Sequence, residues 1–276
     1  MKTDILLSTF NGAPFLDDLI RSLYGQTYTD WHLLVRDDGS ADRTPELLKS
    51  YYDKDKGRIT LLKGGKKQLG PKKSFEYLLQ QSEADYVLFC DQDDVWLPGK
   101  IEKTLAKMQK LEYHYPEAPA LVFTDLIVTD KMLREIYPSF WEYMKTDPAN
   151  ILNIYRLLVN NPVVGCTVMI NKKVKELVLP FPEEAVMHDW WIALKISQKG
   201  VADYIARPTV LYRMHATNNI GTYNADKKYY VRRLAGLPKT FSQNKDAVRM
   251  LRKLDFRLSV LKFTGYKIKM TFSKIF

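Results

Sequence analysis

Short apolar runs of strand length alternate along the first part of the chain with stretches whose apolar residues recur at helical spacing. Asp4 to Ser8, Trp31 to Arg36, Ile59 to Lys63 and Tyr86 to Cys90 are the runs. Between them, Pro14 to Gly25 sets Phe15, Leu16, Leu19, Ile20 and Leu23 on one helical face, and Thr44 to Tyr52 and Lys72 to Gln81 read as further helices. This order predicts a parallel sheet covered by helices. Later, Met187 opens a helix that continues through Ile192, Ala193, Leu194 and Ile196 and ends at Gly200, and Thr209 to Leu211 reads as a strand. In the last fifty residues Ala247, Leu251, Leu254, Leu258 and Leu261 keep helical spacing. Beyond Gly265, Tyr266, Ile268, Met270 and Phe272 alternate with Lys267, Lys269 and Thr271.

A chain of 276 residues with 46% hydrophobic content can bury a sizeable core, which excludes a disordered or fibrous protein. The longest apolar stretches, such as Tyr86 to Cys90 and Ala120 to Val128, are too short or too interrupted to cross a bilayer. Met1 is followed almost at once by the first strand, leaving no room for a secretory leader, so a cytosolic location is expected. Cys90 and Cys166 sit in apolar runs without a second Cys or His at metal spacing and read as core residues.

Charge divides the chain near residue 225. Residues 226–276 hold nine Lys and five Arg against three Asp, whereas the preceding 225 residues hold 28 basic and 29 acidic groups. The formal charge of +10 therefore belongs to the tail, as expected for an appendage that meets an anionic surface. Its helical stripe offers an apolar face flanked by Arg249, Arg252, Lys253, Arg257 and Lys262, the pattern of an amphipathic membrane contact. The same stripe can instead pack on the preceding domain. Nucleic acid is not expected as a partner, although Tyr229, Tyr230, Phe241, Phe256 and Phe263 interleave with the basic residues. Acidic segments at the predicted strand ends would repel its phosphates.

In a parallel sheet, ligands bind beyond the carboxyl ends of the strands. Here those ends are acidic: Ser8-Thr9-Phe10-Asn11-Gly12, then Arg36-Asp37-Asp38-Gly39-Ser40, then Cys90-Asp91-Gln92-Asp93-Asp94. Asp-Asp-Gly-Ser taken alone is also a common turn. Asp91 and Asp93, two apart on an extended segment, share a side and can hold one hard divalent cation, Mg²⁺ or Mn²⁺. Three carboxylates in four residues repel one another unless a cation or buried donors intervene. A solvated acidic turn is the alternative. An EF-hand is excluded, because Val95 and Trp96 stand where the calcium loop needs an oxygen ligand and Gly. Neither a dinucleotide-binding glycine fingerprint nor a P-loop is present.

Leu7-Ser8-Thr9-Phe10-Asn11-Gly12, Leu16, Ile20, Ser22-Leu23, Gln26-Thr27, Trp31, Leu33, Asp37-Asp38-Gly39-Ser40, Asp42 and Thr44 together resemble the amino-terminal signature of family 2 glycosyltransferases. Asp91-Gln92-Asp93-Asp94-Val95-Trp96-Leu97-Pro98 is similar to that family's Asp-x-Asp region in bacterial rhamnosyltransferase-like members. The resemblance implies the GT-A fold, a single nucleotide-binding α/β domain, here over residues 1–225 with 226–276 as its basic tail. It implies nucleotide contacts at Thr9, Asn11, Asp37, Asp38, Lys73, Asp91 and Gln92, and a metal held by Asp91 and Asp93 with His215. Ser74 departs from the family, which often carries Asn before this Phe, so a donor-sugar contact from that side chain is not carried over.

Asp189 reads from the residues as a helix cap, and the resemblance makes it the catalytic base. Arg213 and His215, in an Arg-x-His segment after a strand, are matched to diphosphate or metal contact. His188 stands where the family more commonly has an acid, and tuning Asp189, touching the diphosphate or acceptor, and pointing to solvent are its alternatives; Trp190 and Trp191 can stack on a sugar ring, with the core as the alternative for at least one of them. The implied reaction is inverting transfer of a sugar from a nucleotide-diphosphate donor to an acceptor hydroxyl, in cell-surface polysaccharide synthesis. The resemblance implies dTDP-rhamnose as donor, with a UDP-hexose as the alternative. The implied acceptor is a saccharide, lipid-linked and presented at the inner face of the cytoplasmic membrane. A sugar-nucleotide pyrophosphorylase would need a Gly-rich Arg-Leu loop that the amino terminus lacks. A noncatalytic sugar-nucleotide-binding protein is the remaining alternative.

Overall fold

The computed structural model describes residues 2–62, 68–215, 237–256 and 259–275. Lys63, Ala216 to Asn219, the expected boundary at 225, Tyr229, Tyr230, Arg257 and Leu258 lie outside the described residues.

The first half follows the expected alternation: β1 (Thr3–Thr9), α1 (Ala13–Tyr24), β2 (Trp31–Asp37), α2 (Thr44–Lys54), β3 (Ile59–Leu61), α3 (Gly70–Gln81) and β4 (Tyr86–Asp91). These strands form a parallel block in the order β3-β2-β1-β4. Ile5, Leu6, Leu7, Val87, Leu88 and Phe89 are buried on alternating sides of the sheet, which is why these strands read as unbroken apolar runs. On α1, Leu16, Leu19, Ile20 and Leu23 all face the core, each worth about 1.5–3 kcal/mol relative to exposure. Register decides where the strand ends meet. Ser8 pairs with both Arg36 and Asp91, and Thr9 with Asp37, so the acidic segments after β1, β2 and β4 emerge side by side.

The second half completes the sheet with β5 (Val95–Trp96), α4 (Lys100–His114), β6 (Ala120–Thr129), β7 (Glu135–Tyr137), α5 (Phe140–Tyr143), α6 (Ile154–Leu157), β8 (Met169–Asn171), α7 (Lys173–Val178), α8 (His188–Lys199) and β9 (Val201–Arg213). β8 lies antiparallel between β4 and β6, while β6 and β9 run parallel. Only Thr209 to Leu211 of β9 shows as a strand in sequence. Asp203, Arg207 and Pro208 interrupt its pattern, but pairing along β6, with register shifts near Asp125, carries it from residue 201 to residue 213.

The tail forms α9 (Leu237–Arg252) and α10 (Val260–Ile275), with Asp255 at φ 61° in the turn between them. Ala247, Leu251 and Leu254 keep the expected helical spacing but are buried, together with Val248 and Met250. The Val186 N–H points at Met250 Sδ (3.5 Å), Gln198 donates to the Leu254 carbonyl (3.1 Å), and Lys253 pairs with Glu184 (3.2 Å). The stripe thus packs on the domain. The alternation beyond Gly265 is not extended structure but one helix: Phe263 and Thr264 turn inward, Asn244 bonds Thr264 (2.9 Å), and Leu261 and Tyr266 face outward. Among the described residues, no helix is long and apolar enough to cross a membrane.

Candidate active site

The strand ends open into a cleft of about 970 Å³, large enough for a sugar nucleotide. Thr9, Asn11, Asp38, Asp91, Gln92, Asp93, His188, Asp189, Trp190 and His215 line it. The expected residues Asp37, Lys73 and Arg213 stand behind this lining.

The nucleotide half is a braced set of loops. The Thr9 hydroxyl donates to Asp37 (2.8 Å), whose carboxylate also accepts from the Gly39 N–H (3.1 Å), the Ser40 N–H (2.9 Å) and the Ser40 hydroxyl (2.6 Å). That is the turn its sequence suggests. Asn11, at φ 50°, accepts from the Ala41 N–H (2.8 Å) and ties the first loop to the second. Gln92 clamps the Phe10 backbone with both ends of its amide (2.8 and 3.0 Å). The clamp requires glycine at position 12, where an added Cβ would stand 2.1 Å from Gln92 Oε1.

Asp38 is buried, and burial pushes its carboxyl upward. The Leu69 N–H (2.7 Å), Arg36 (2.5 Å) and the Gly70 N–H (2.7 Å) outweigh burial and hold it below the ordinary range. Arg36 also donates to Ser74 (2.5 Å), which occupies the Ser74 hydroxyl inside the domain. Lys73 points away to Glu183 (2.6 Å) and Glu76 (3.4 Å).

Acid concentrates at the end of β4. Asp91 is driven up to about 8 by burial first, then by the charges of Asp93 and Asp189. Asp94 is fully buried and pushed well above the carboxylate range by burial, then by the charges of Asp93 and Asp91. Ligand atoms of Asp91, Asp94 and Cys166 lie within 4.8 Å of one another. Asp93 contacts His215 Nε2 at 2.7 Å, and the His215 ring stacks on Phe15 with centroids 4.8 Å apart. The group whose ligand atoms gather is thus two carboxylates and a thiol, with Asp93 turned to His215 beside it, and burial more than the neighbouring charges raises Asp91. Arg213, nearly buried, donates to the carbonyls of Asp93 (2.9 Å) and Lys131 (2.6 Å) and to Asp18 (2.9 Å), and so braces the acidic loop from behind.

Across the cleft, Met187 caps α8 by position and Asp189 is its second residue, so Asp189 is not the cap itself. Its carboxylate accepts from the Trp190 N–H (2.6 Å) and the Gly165 N–H (3.2 Å). Burial nevertheless lifts it to about 6, outweighing those bonds. His188 is buried, not solvent-facing, with its ring 4.2 Å from Phe75 and 5.3 Å from Phe89. Trp191 is the core member of the Trp pair, bonded to the Val178 carbonyl (2.9 Å), while Trp190 faces the cleft.

Several lining residues escape sequence reasoning. Lys267 and Met270 reach the cleft from α10, with Lys267 Nζ 5.5 Å from the Trp190 ring centroid. Nothing in a basic tail marks Lys267 as a lysine that turns inward. Gly165 is needed because a Cβ there would meet His188 Nε2 at 2.8 Å. Arg36 carried a legible signal, a lone cation ending an apolar strand before two aspartates.

The glycosyl transferase family 2 model matches residues 4–174, which run from β1 to the start of α7 and take in the acidic segments after β1, β2 and β4. The chain belongs to this family. A dTDP-rhamnosyl transferase of Shigella flexneri is 25% identical over 82% of this chain and 77% of its own. A GalNAc(5)-diNAcBac-PP-undecaprenol beta-1,3-glucosyltransferase of Campylobacter jejuni is 29% identical over 38% of this chain and 34% of its own. Among solved structures, S. aureus TarS 1-349 in complex with UDP-GlcNAc aligns with TM-score 0.63 at 15% identity, covering 99% of this chain and 72% of that one. The Pyrobaculum calidifontis mannosyltransferase PcManGT with GDP-Man and Mn²⁺ aligns with TM-score 0.59 at 17% identity, over 99% and 73%. The fold is GT-A, and this family 2 member is a glycosyltransferase.

Proposed function

We propose that the enzyme transfers a 6-deoxyhexose, first of all rhamnose from dTDP-rhamnose, to a saccharide hydroxyl with inversion at the anomeric carbon, in cell-surface polysaccharide synthesis. The observation that carries the transfer chemistry is the single cleft that sets the Asp189 carboxylate against the Asp91 and Asp93 pair. Asp189, ionised at neutral pH yet basic for an aspartate, takes the acceptor hydroxyl proton as that oxygen bonds to the anomeric carbon. The carbon–oxygen bond to the nucleoside diphosphate breaks on the opposite face. Asp91 and Asp93, with His215, would hold Mn²⁺ or Mg²⁺, which supplies positive charge for the departing phosphate. Thr9, Asn11, Asp37, Asp38 and Gln92 shape the nucleoside end. Lys73 supports it through Glu76 and Glu183, and Arg213 acts by bracing Asp93.

The rhamnosyl donor is favoured by the S. flexneri relative's name and by the apolar residues Phe75, Phe140, Val163 and Val164 in the lining, which suit a methyl in place of a hydroxymethyl. A thermal-shift series with dTDP-rhamnose, UDP-glucose, UDP-GlcNAc and GDP-mannose, each with and without Mn²⁺, tests it. Binding at a hundredfold excess over Kd stabilises by about 2.7 kcal/mol, so dTDP-rhamnose should raise Tm by several degrees. A larger shift with a UDP-hexose would replace the donor, and no shift with any would overturn the reading.

The tail would hold the enzyme on the inner face of the cytoplasmic membrane, near a lipid-linked acceptor, through α10. With the α9 stripe packed inside, Leu261 and Tyr266 are the large outward apolar groups among the described residues of α10, beside the exposed cations Lys262 and Lys269. Each engaged cation adds about 1 kcal/mol at an anionic surface. The protein should sediment with anionic but not neutral vesicles and be released by salt. The variant K262E/K269E should stay in the supernatant, and equal sedimentation of the two proteins would remove the membrane assignment.

A further inference from the structure

Leu152 and Tyr155 project from the catalytic domain, 65% and 71% exposed, while their neighbours Ile151, Leu157 and Leu158 are buried. A single exposed apolar side chain is ordinary. These two are held outward by a closed turn, in which the Asn153 side chain at the start of α6 accepts from the Tyr155 N–H (3.1 Å) and the Arg156 N–H (3.3 Å). Tyr155 also has a partner far along the chain. Its ring meets Phe256 edge-on, with centroids 5.9 Å apart. Phe256 lies in the turn between α9 and α10, where its N–H bonds the Leu251 carbonyl (3.1 Å). The first turn of α10 then presents Leu261, 76% exposed, and Tyr266 follows on the outside of the same helix. Exposed apolar groups from two segments remote in sequence therefore gather at one end of the tail.

Cations surround them. Arg156 follows Tyr155, Arg252 precedes the turn, and Lys262 and Lys269 flank Leu261 and Tyr266; all four are exposed. The exposed acids in the same turns are Asp147 and Asp255, and Asp147 already accepts from the Ala149 N–H (2.9 Å). Leucine and tyrosine tips set among cations complement an anionic bilayer. Aliphatic tips enter the boundary between headgroups and acyl chains, a tyrosine sits at headgroup level, and the cations meet lipid phosphates. A nucleic acid would meet the cations but leave Leu152 and Leu261 in water.

Both segments continue into the cleft wall. Beyond α6 the chain supplies Val159, Asn160 and Val163 to the lining, and beyond Tyr266 the tail helix supplies Lys267 and Met270. We propose that Leu152 and Tyr155 of the catalytic domain join Leu261 and Tyr266 of the tail in one surface that seats the enzyme on an anionic bilayer beside the cleft. This rests on the membrane reading of the tail and extends it: the domain itself touches lipid, and the orientation it takes brings a lipid-linked hydroxyl to the cleft from the bilayer side.

Sedimentation of the full-length protein with vesicles of phosphatidylglycerol and phosphatidylcholine tests this. The variant L152S/Y155S should bind at least tenfold more weakly at constant salt, with Tm nearly unchanged. Tyr113→Ser, which removes an 83% exposed ring from α4, should bind as the wild type does. In a second measurement Leu152→Cys carries an environment-sensitive fluorophore, while the buried Cys90 and Cys166 stay unlabelled. Its emission should move to the blue on anionic vesicles and be quenched by a quencher attached to the lipid chains. Wild-type affinity in L152S/Y155S, an equal loss in Tyr113→Ser, or a label that stays in water while the protein is bound would overturn the shared surface and leave the tail as the membrane contact. If the wild-type protein does not bind anionic vesicles at all, the membrane reading fails, and this inference fails with it.

Discussion

Asp93→Asn is expected to lower the transfer rate at least a thousandfold and to abolish the response of nucleotide-diphosphate binding to Mn²⁺. The reason lies in the charge balance at the end of β4. Asp91 is held up to about 8 by its partial burial first and then by the charges of Asp93 and Asp189, and Asp94 is buried beside it. A divalent cation would convert that repulsion into attraction, and in a water-poor cleft its effect on a departing diphosphate amounts to several kcal/mol. Asn keeps the shape of Asp93 and an oxygen for His215 but brings no charge. The fold should survive, because Asp93 is only half-buried and the loop is braced independently by Arg213 and by the Gln92 clamp. Wild-type protein should gain Tm on adding Mn²⁺ with the nucleoside diphosphate, and the variant should not. Normal turnover by the variant in a chelating buffer would remove Asp91 and Asp93 from any metal role.

The parallel half of the sheet is legible in the sequence because its physics is local. β1, β2 and β4 are short, fully buried and bounded by helices whose apolar faces repeat at 3.6 residues, so pattern and structure coincide. The acidic edge is legible for the same reason: once the strands are parallel and in register, Asp37 and Asp91 must emerge together. Features that escape sequence reasoning depend on partners distant along the chain. β9 is a strand because β6 is beside it, not because Asp203, Arg207 and Pro208 favour extension. The helical stripe of Ala247, Leu251 and Leu254 reads as amphipathic, but the same pattern serves a lipid face or a protein face. Contacts to Val186 and Gln198 show which it meets here. Lys267 enters the cleft without a sequence signal for that reason. Asp38 and Arg36 illustrate the subtler case, in which a motif expected to meet a ligand is also engaged in holding the α3 entrance closed.

Asp189→Asn should leave donor binding intact, lower turnover by about 10²–10⁴ and make the protein more stable at neutral pH. The three effects share one cause. Burial raises the Asp189 carboxyl to about 6 in the folded protein, whereas an unfolded aspartate titrates near 4. The folded state therefore binds this proton more tightly than the unfolded state. The stabilisation that protonation provides is complete below about pH 4, fades as the pH rises through 6, and is absent above it. At pH 7.5 the ionised group is a liability of about 1–2 kcal/mol, allowing for its partial access to the water-filled cleft. Replacing it with a neutral amide removes that liability, so Tm of the metal-free protein should rise at pH 7.5 and match the wild type at pH 4. The ionised form is also the one that accepts the acceptor proton. Wild-type kcat/KM should accordingly fall tenfold per unit below about pH 6, and the residual activity of the variant should show no such limb. A residue that merely capped α8 would behave otherwise. Its loss would lower Tm at every pH and reduce binding and turnover together, and that result would return Asp189 to a structural role.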